Sequence, residues 1–299
     1  MTYLQGGTGN QLFEFFAGLY TAKSLGAELY LDNSLLSKVD NRLMNKMGDV
    51  EVYLGETQIN YHIRRRLKSH LHIYSERILH KFTNATTLSF FRFQYRSKQI
   101  GYDANLDKIS RSTGLVGYFQ TYRYLEVMEE MYGKLRIELR NPTVWFSTLK
   151  SEIENKEVSL GIHLRRGDYQ EVVNRDSIGI LSFKYFENII SNDIEVHQIT
   201  SVYFFSDDYE AASVLAARIN SVNCTVVSPP EHSGAFETIK LMSFCDFRIL
   251  SNSTFSWWGA YLSDCAKSNY VPSPWFRSLP EPLNLLPADW HRCSPIWDE

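Results

Sequence analysis

Between residue 158 and about residue 256, short apolar runs alternate with amphipathic stretches, and that alternation admits few folds. A strand over 158–165 leads to a helix over 183–191, the apolar strand Val202-Tyr203-Phe204-Phe205 and a helix over 208–219. A strand near 224–228, a helix over 235–245, a strand from Phe247 to Leu250 and a helix from about Ser256 complete the series. Strands separated by helices pair in parallel, and helices on both faces then give a doubly wound α/β sheet. Ligands bind such sheets beyond the C-terminal ends of the strands.

Three strands end in polar loops on that edge. They are Arg165-Arg166-Gly167-Asp168, Ser206-Asp207-Asp208 and Ser251-Asn252-Ser253-Thr254-Phe255-Ser256. In the first strand Leu160, Ile162 and Leu164 alternate with Gly161, His163 and Arg165, so the first set faces a core and the second faces away. Adjacent guanidinium forks suit a diphosphate, because each fork donates two parallel hydrogen bonds to phosphate oxygens. Hydroxyl and N–H groups at the helix start near Ser256 add anion contacts. Asp207 and Asp208 can accept from a base edge or from ribose hydroxyls. Each part also has a plainer reading: a surface Arg pair neutralised by Asp168, helix caps at Ser206, Asp207, Ser253, Thr254 and Ser256, and core aromatics at Trp257-Trp258. Taken together, the three loops describe a nucleotide-diphosphate pocket.

The N-terminal half opens with a very short strand over residues 2–5, the loop Gly6-Gly7-Thr8-Gly9-Asn10-Gln11, and an amphipathic run from Leu12 that stops near Gly26. A strand from Ala27 to Asp32 follows, which makes a βαβ unit whose glycine loop lets backbone N–H groups approach a ligand. No acidic residue stands downstream for a ribose and no Lys-Ser/Thr completes a P-loop, so an oxidoreductase reading is disfavoured. Residues 33–60 show no strong period, 122–139 read as one helix, and Asn141-Pro142 precedes a helix and linker over 143–157. Residues 61–98 carry nine Lys/Arg against Glu76 alone, a net +8, with His62, His70, His72 and His80 among them. The plain reading of that segment is a solvated basic face.

At 299 residues, with 44% hydrophobic and 22% charged residues, the chain suits two soluble globular domains or one large one. A net charge of −3 argues against a nucleic-acid binder. Cys224, Cys245, Cys265 and Cys293 lack C-x-x-C spacing and read as thiols. There is no basic n-region, apolar h-region or run of about 18 apolar residues, so the expectation is a cytoplasmic chain that does not span a membrane. No His/Cys/Asp/Glu cluster has ligand spacing, so no metal or other cofactor is expected.

The chain resembles the bacterial α-1,2-fucosyltransferases of glycosyltransferase family 11. The matching motifs are Gly6-Gly7-Thr8-Gly9-Asn10-Gln11-Leu12-Phe13, Gly117-Tyr118-Phe119-Gln120, His163-Leu164-Arg165-Arg166-Gly167-Asp168-Tyr169, Phe205-Ser206-Asp207-Asp208 and Asn252-Ser253-Thr254-Phe255-Ser256-Trp257-Trp258-Gly259-Ala260. Pro274-Trp275-Phe276 and Asp289-Trp290 fit more weakly. Thr8 stands where Leu is usual and Thr238 where Asp is frequent, and residues 33–110 match poorly.

The resemblance implies a GT-B-like pair of Rossmann-type domains facing a cleft, with an acceptor-side domain over 1–152 and a GDP-fucose-binding domain over 153–299. It implies metal-free transfer of fucose, with inversion, from GDP-fucose to the 2-hydroxyl of a terminal galactose on an oligosaccharide or lipid-linked glycan. Arg165 would engage the β-phosphate and His163 would help position the donor. Asp207 would sit near guanine, and Thr254 and Ser256 near the diphosphate. Arg166, Ser206, Asp208, Asn252 and Ser253 fall in the same donor motifs. Gly6, Gly7, Gly9, Asn10 and Gln11 would line the cleft. The base that deprotonates the acceptor is open between Asp168, Glu171, some other residue and no strict base. Transfer of another nucleotide-linked sugar, or a catalytically inactive glycan- or nucleotide-binding protein, are the rival readings. For an acceptor built on a lipid diphosphate, the 61–98 segment would favour peripheral association with an anionic inner membrane face.

Overall fold

The computed structural model describes residues 1–36, 50–64, 94–109, 113–264 and 266–298. The chain begins with β1 (Thr2–Tyr3), α1 (Thr8–Ser24) and β2 (Tyr30–Asp32). A hairpin of β3 (Val50–Leu54) and β4 (Thr57–Gln58) turns at Gly55, whose φ of 57° lies in the region that favours glycine. Next come β5 (His62–Arg64), β6 (Gln94–Arg96), β7 (Gly114–Val116), α2 (Arg123–Tyr132), β8 (Leu135–Leu139) and α3 (Val144–Glu154). The series β9 (Ser159–Leu164), α4 (Val172–Ser177), α5 (Phe183–His197), β10 (Ser201–Ser206), α6 (Tyr209–Ala216) and β11 (Asn223–Val227) follows. The described residues end with α7 (Ala235–Ser243), β12 (Phe247–Ile249), α8 (Thr254–Tyr261), β13 (Ser268–Pro272) and β14 (His291–Cys293).

These elements form two compact α/β units, consistent with a GT-B-like fold. One comprises Met1–Arg42, Val52–Leu135 and Pro282–Leu285, the other Leu43–Glu51, Arg136–Glu281 and Leu286–Glu299. The main crossing therefore lies at Leu135/Arg136, ahead of the 152/153 boundary expected from sequence, and α3 goes with the second unit.

The first unit contains the five-stranded parallel sheet β5-β2-β1-β7-β6. Helix α1 follows β1 through the glycine loop and is buried on nearly every side, from Thr8 to Ala22. It packs so closely on β1 that a Cβ at Gly18 would collide with the Thr2 hydroxyl. The expected amphipathic helix is thus a core helix, which starts four residues earlier with Gly7 as its cap. The basic residues Arg65 to Arg92 lie outside the described residues, and that reading is carried only at Arg96 and Lys98, which are exposed.

The single helix expected over 122–139 is two elements. Gly133, with φ of 94°, closes α2, and Leu135-Arg136-Ile137-Glu138-Leu139 alternates with period two, burying Leu135 and Ile137. Strand β8 joins β3 and β4 in a three-stranded sheet, order β4-β3-β8, where Val50, Val52 and Leu54 are buried. Residues 50–60, read as aperiodic, therefore hold a hairpin.

The second unit is built on the six-stranded sheet β11-β10-β9-β12-β13-β14, parallel throughout. Leu160, Ile162 and Leu164 pack with Tyr185, Phe186, Val202, Phe204 and Ile249 on one face. The opposite face is covered as well, since every residue of β9 is buried and Gly161 faces Cys245, where an added Cβ would stand 3.0 Å from the sulfur. The period-two reading holds, but His163 does not face solvent, because helices cover both sides of a parallel sheet. Cys224, Cys245 and Cys293 are free thiols, and Cys265 lies outside the described residues.

One buried acid in the first unit carries a pH consequence. Glu14 of α1 is 0% exposed, accepts the Gln5 N–H at 2.8 Å through Oε2, and leaves Oε1 without a partner. Burial pushes its pKa well above the ordinary carboxyl value, against the opposing pull of the Gln5 hydrogen bonds. The unfolded chain releases this proton above about 4.5 while the folded chain keeps it, so the group's contribution is intact in acid and declines as pH rises. Glu14→Gln keeps the shape and removes the titration. Thermal melts should show the variant gaining on wild type as pH rises from 4.5 to 8, and a constant difference would refute the assignment.

Candidate donor site

Chain order reverses at β9. From β9 the chain steps outward to β10 and β11, then returns to place β12 on the other side of β9. The C-terminal ends of β9 and β12 thus flank the switch point where open α/β sheets receive ligands. Register levels the loops: Ser206 pairs with Leu164 and Ile249 with Ile162, so Asp207 stands beside Arg165 and Ser251 beside the end of β9.

His163, Arg165, Arg166, Asp207, Asp208 and Ser251 come together here. The His163 ring is 4% exposed, lies against Phe255 with centroids 5.2 Å apart and planes at 20°, and its Nδ1 is 2.6 Å from Ser251 Oγ. Burial drives its pKa down to about 3; Asp207 opposes the shift and Arg165 adds to it, so the ring is neutral at pH 7.

The two arginines diverge. Arg165 pairs through Nη2 with Asp168 at 2.5 Å and through Nη1 with Asp207 at 2.8 Å, and its guanidinium lies 5.3 Å from the Tyr169 ring centroid. Burial opposes its charge, but Asp207 and Asp168 outweigh burial and raise its pKa above the ordinary value. Arg166 reaches Asp298 at 2.8 Å and Asp208 at 3.8 Å, and lies over Phe183 at 5.3 Å. It therefore anchors the C-terminal tail, while Arg165 stays at the strand end. The tail is held further by the Asp298 N–H donating to Ile180 O at 2.7 Å.

The other sequence-derived residues have definite places. Asp207 is engaged with Arg165 and also accepts the Arg166 backbone N–H at 3.0 Å. Gly167 makes room for it, because a Cβ there would collide with Asp207 Oδ2. Asp208, not Asp207, caps α6 by accepting the Ala211 N–H at 2.9 Å. Ser206 Oγ donates to the carbonyls of Leu164 or Asp208, each at 3.0 Å. Asn252 is buried and its amide donates to Ile178 O at 3.0 Å and Gly179 O at 3.1 Å. Ser253 caps α8, whose first residue, Thr254, is half-buried. Ser256 is 0% exposed and its hydroxyl donates to the carbonyl of Ser251 or Ser253, so it lies beneath the loop surface. Trp257 and Trp258 are fully buried and edge-to-face at 5.0 Å, as core aromatics. Glu171 is exposed, three residues beyond Asp168.

The glycine-loop residues belong to the first unit. Gly6 adopts φ of 67°, Gln11 donates to its carbonyl at 2.9 Å, and Asn10 accepts from Gln120 at 3.0 Å. Gly7 caps α1, and Gly9 is buried in its first turn. Among the described residues no group of three His, Cys, Asp or Glu side chains is placed to hold a metal ion. Sequence reasoning assigned no role to Tyr169 or Asp298. Asp298 meets Arg166 across 132 residues, a distance no local pattern reveals.

The sequence profile of glycosyl transferase family 11 matches residues 67–275. The chain belongs to that family. An α-1,2-colitosyltransferase of Escherichia coli is 26% identical over 298 residues, covering 97% of each chain. The O-antigen biosynthesis glycosyltransferase WbnK of Escherichia coli is 27% identical over 286 residues, covering 91% of this chain and 93% of WbnK. In fold, this family 11 chain is similar to the crystal structure of the fucosyltransferase NodZ from Bradyrhizobium, with TM-score 0.51, 13% identity, and 87% and 92% of the two chains covered. It is also similar to an Arabidopsis thaliana FUT1 mutant in complex with GDP, with TM-score 0.51, 12% identity, and 90% and 69% covered.

The neutral, buried His163 generates a stability test. Between pH 6.5 and 3 the unfolded chain takes up a proton that the folded ring refuses, so stability is retained above 6.5 and lost as pH falls toward 3. His163→Asn, whatever its baseline, should show a shallower fall in Tm between pH 6.5 and 4.5 than wild type. Parallel curves would mean that the folded ring accepts the proton.

Proposed function

We propose that this family 11 glycosyltransferase transfers L-fucose from GDP-fucose, with inversion and without a metal, to the 2-hydroxyl of a terminal galactose. The observation that carries the reading is Arg165, a buried-edge guanidinium held between two carboxylates at the switch point of a parallel sheet. Departure of GDP leaves charge on the β-phosphate and oxocarbenium character on the sugar. A preorganised guanidinium then contributes more in the transition state than in the ground state. Asp168, ion-paired to Arg165, can hold the clamp or serve as the base that deprotonates the acceptor; the exposed Glu171, another residue or no strict base are the alternatives. A glycan of the O-antigen type is the acceptor class that the WbnK similarity supports.

A second donor is supported by a specific observation: the colitosyltransferase relative spans 97% of this chain. Purified protein offered GDP-fucose, GDP-linked colitose, GDP-mannose and UDP-sugars, with a panel of galactosides and excess EDTA, separates the readings. Turnover of GDP-fucose in EDTA, falling on the order of a hundredfold in Arg165→Lys, is the expected result. Preference for the colitose donor would reassign the sugar. Loss of activity in EDTA restored by Mg²⁺ or Mn²⁺ would place a metal at Asp207 and Asp208. Release of no GDP from any pair would favour a binding protein.

For a lipid-linked acceptor, the +8 segment over 61–98 supports peripheral attachment, since each Lys or Arg near an anionic bilayer contributes about 1 kcal/mol. Among the described residues no helix is long and apolar enough to cross a membrane. Sedimentation with anionic vesicles should fall with salt and on converting Arg64, Arg65, Arg66 and Lys68 to Glu. Equal sedimentation with neutral vesicles would refute it.

A further inference from the structure

We propose that Tyr169 is a positioning residue for the donor diphosphate: its ring sets the plane of the Arg165 guanidinium, and its hydroxyl ties that plane to the loop after β12. The inference rests on the reading of this edge as a GDP-sugar site.

The two carboxylates hold Arg165 by its edge, Asp168 at Nη2 and Asp207 at Nη1. Those contacts use the same N–H groups that a diphosphate would use, so an arriving anion competes with them directly. The contact with Tyr169 is different. The guanidinium carbon stands over the Tyr169 ring, 5.3 Å from its centroid, and an aromatic face attracts a cation without serving as a carboxylate-like acceptor. Of the three contacts, the ring alone can persist unchanged when phosphate oxygens replace carboxylate oxygens. Bidentate phosphate binding is planar, so the tilt of the guanidinium decides whether both bonds form.

The ring is itself held. Tyr169 Oη donates to the Asn252 carbonyl at 3.1 Å, and burial raises its pKa to about 12, so it remains a neutral donor. Asn252 is in turn fixed by its two amide bonds to the carbonyls of Ile178 and Gly179. The same loop carries Ser251, which bonds the His163 ring, and leads into the first turn of α8, where Phe255 lies against that ring. Both functional side chains at the end of β9 are thus backed by aromatic rings, and both rings are registered to residues 251–255. Asp168 and Tyr169 sit side by side in sequence but meet Arg165 differently, one through a carboxylate at Nη2 and one through an aromatic ring.

Calorimetric titration of the full chain with GDP tests the proposal through a double-mutant cycle. Tyr169→Leu, which removes the π face, should weaken GDP roughly tenfold, and Tyr169→Phe, which keeps it, should stay within about threefold of wild type. In an Arg165→Gln background, where no cation remains to be oriented, Tyr169→Leu should add less than about twofold. A general packing role would give the same loss in both backgrounds, and that result would overturn the proposal. So would wild-type GDP affinity in Tyr169→Leu, or equal losses for Phe and Leu. Thermal melts check that each variant is folded, and Tyr169→Met, unbranched and also lacking a π face, replaces Leu in the cycle should Leu unfold the chain. Failure of the wild-type protein to bind GDP would instead overturn the donor reading, and this inference with it.

Discussion

Parallel pairing of β9 with β10 on one side and β12 on the other is the constraint on which the second unit depends. The pairing buries β9 on both faces, so its polar residues can emerge only at the C-terminal end. It also brings three chain segments to one edge from positions some 40 to 90 residues apart. His163, Asp207 and Ser251 are therefore neighbours because of ladder register, and a shift of one residue along β10 or β12 would separate them. The loops can vary in composition while the strand ends hold their places.

The electrostatics of the edge follow from that burial. A partly buried guanidinium is tolerated because two carboxylates share it, and a neutral His163 beside it adds no repulsion. Asp207 accepts one bond from a side chain and one from the Arg166 backbone, so it also fixes the turn from which Arg165 projects. Aromatic rings complete the arrangement, Phe255 stacked on His163 and Tyr169 beside Arg165.

Elsewhere the fold handles buried charge by other means. Arg248, 0% exposed on β12, donates to the carbonyls at the end of α7 and to Asn269, so a helix terminus takes the place of a counter-ion. Glu237, 3% exposed, accepts from the backbone and hydroxyl of Thr143 and from Ser233, and thereby ties the start of α7 to the cap of α3. Glu14 has the Gln5 N–H at one oxygen and no partner at the other, and burial raises its pKa. These are three responses to one desolvation penalty, chosen by what lies within hydrogen-bonding reach.

By itself the sequence determined the alternation of strands and helices from β9 to α8, because local period and apolar runs are properties of neighbouring residues. It also determined which loops carry arginine, carboxylate and hydroxyl chemistry, and the motifs that mark family 11. It misjudged 122–139, where a glycine and a change of period were outweighed by the helical character of the residues before them, and it missed the hairpin at 50–58. Tertiary structure alone decided how the chemistry was divided. Arg165 and Arg166 are adjacent and identical in type, yet one meets Asp168 and Asp207 and the other meets Asp298. Ser256 and Thr254 belong to one motif, yet one hydroxyl is sealed beneath the loop and the other residue is half-buried. Such differences depend on contacts between residues tens to more than a hundred positions apart, which local pattern does not encode and packing does.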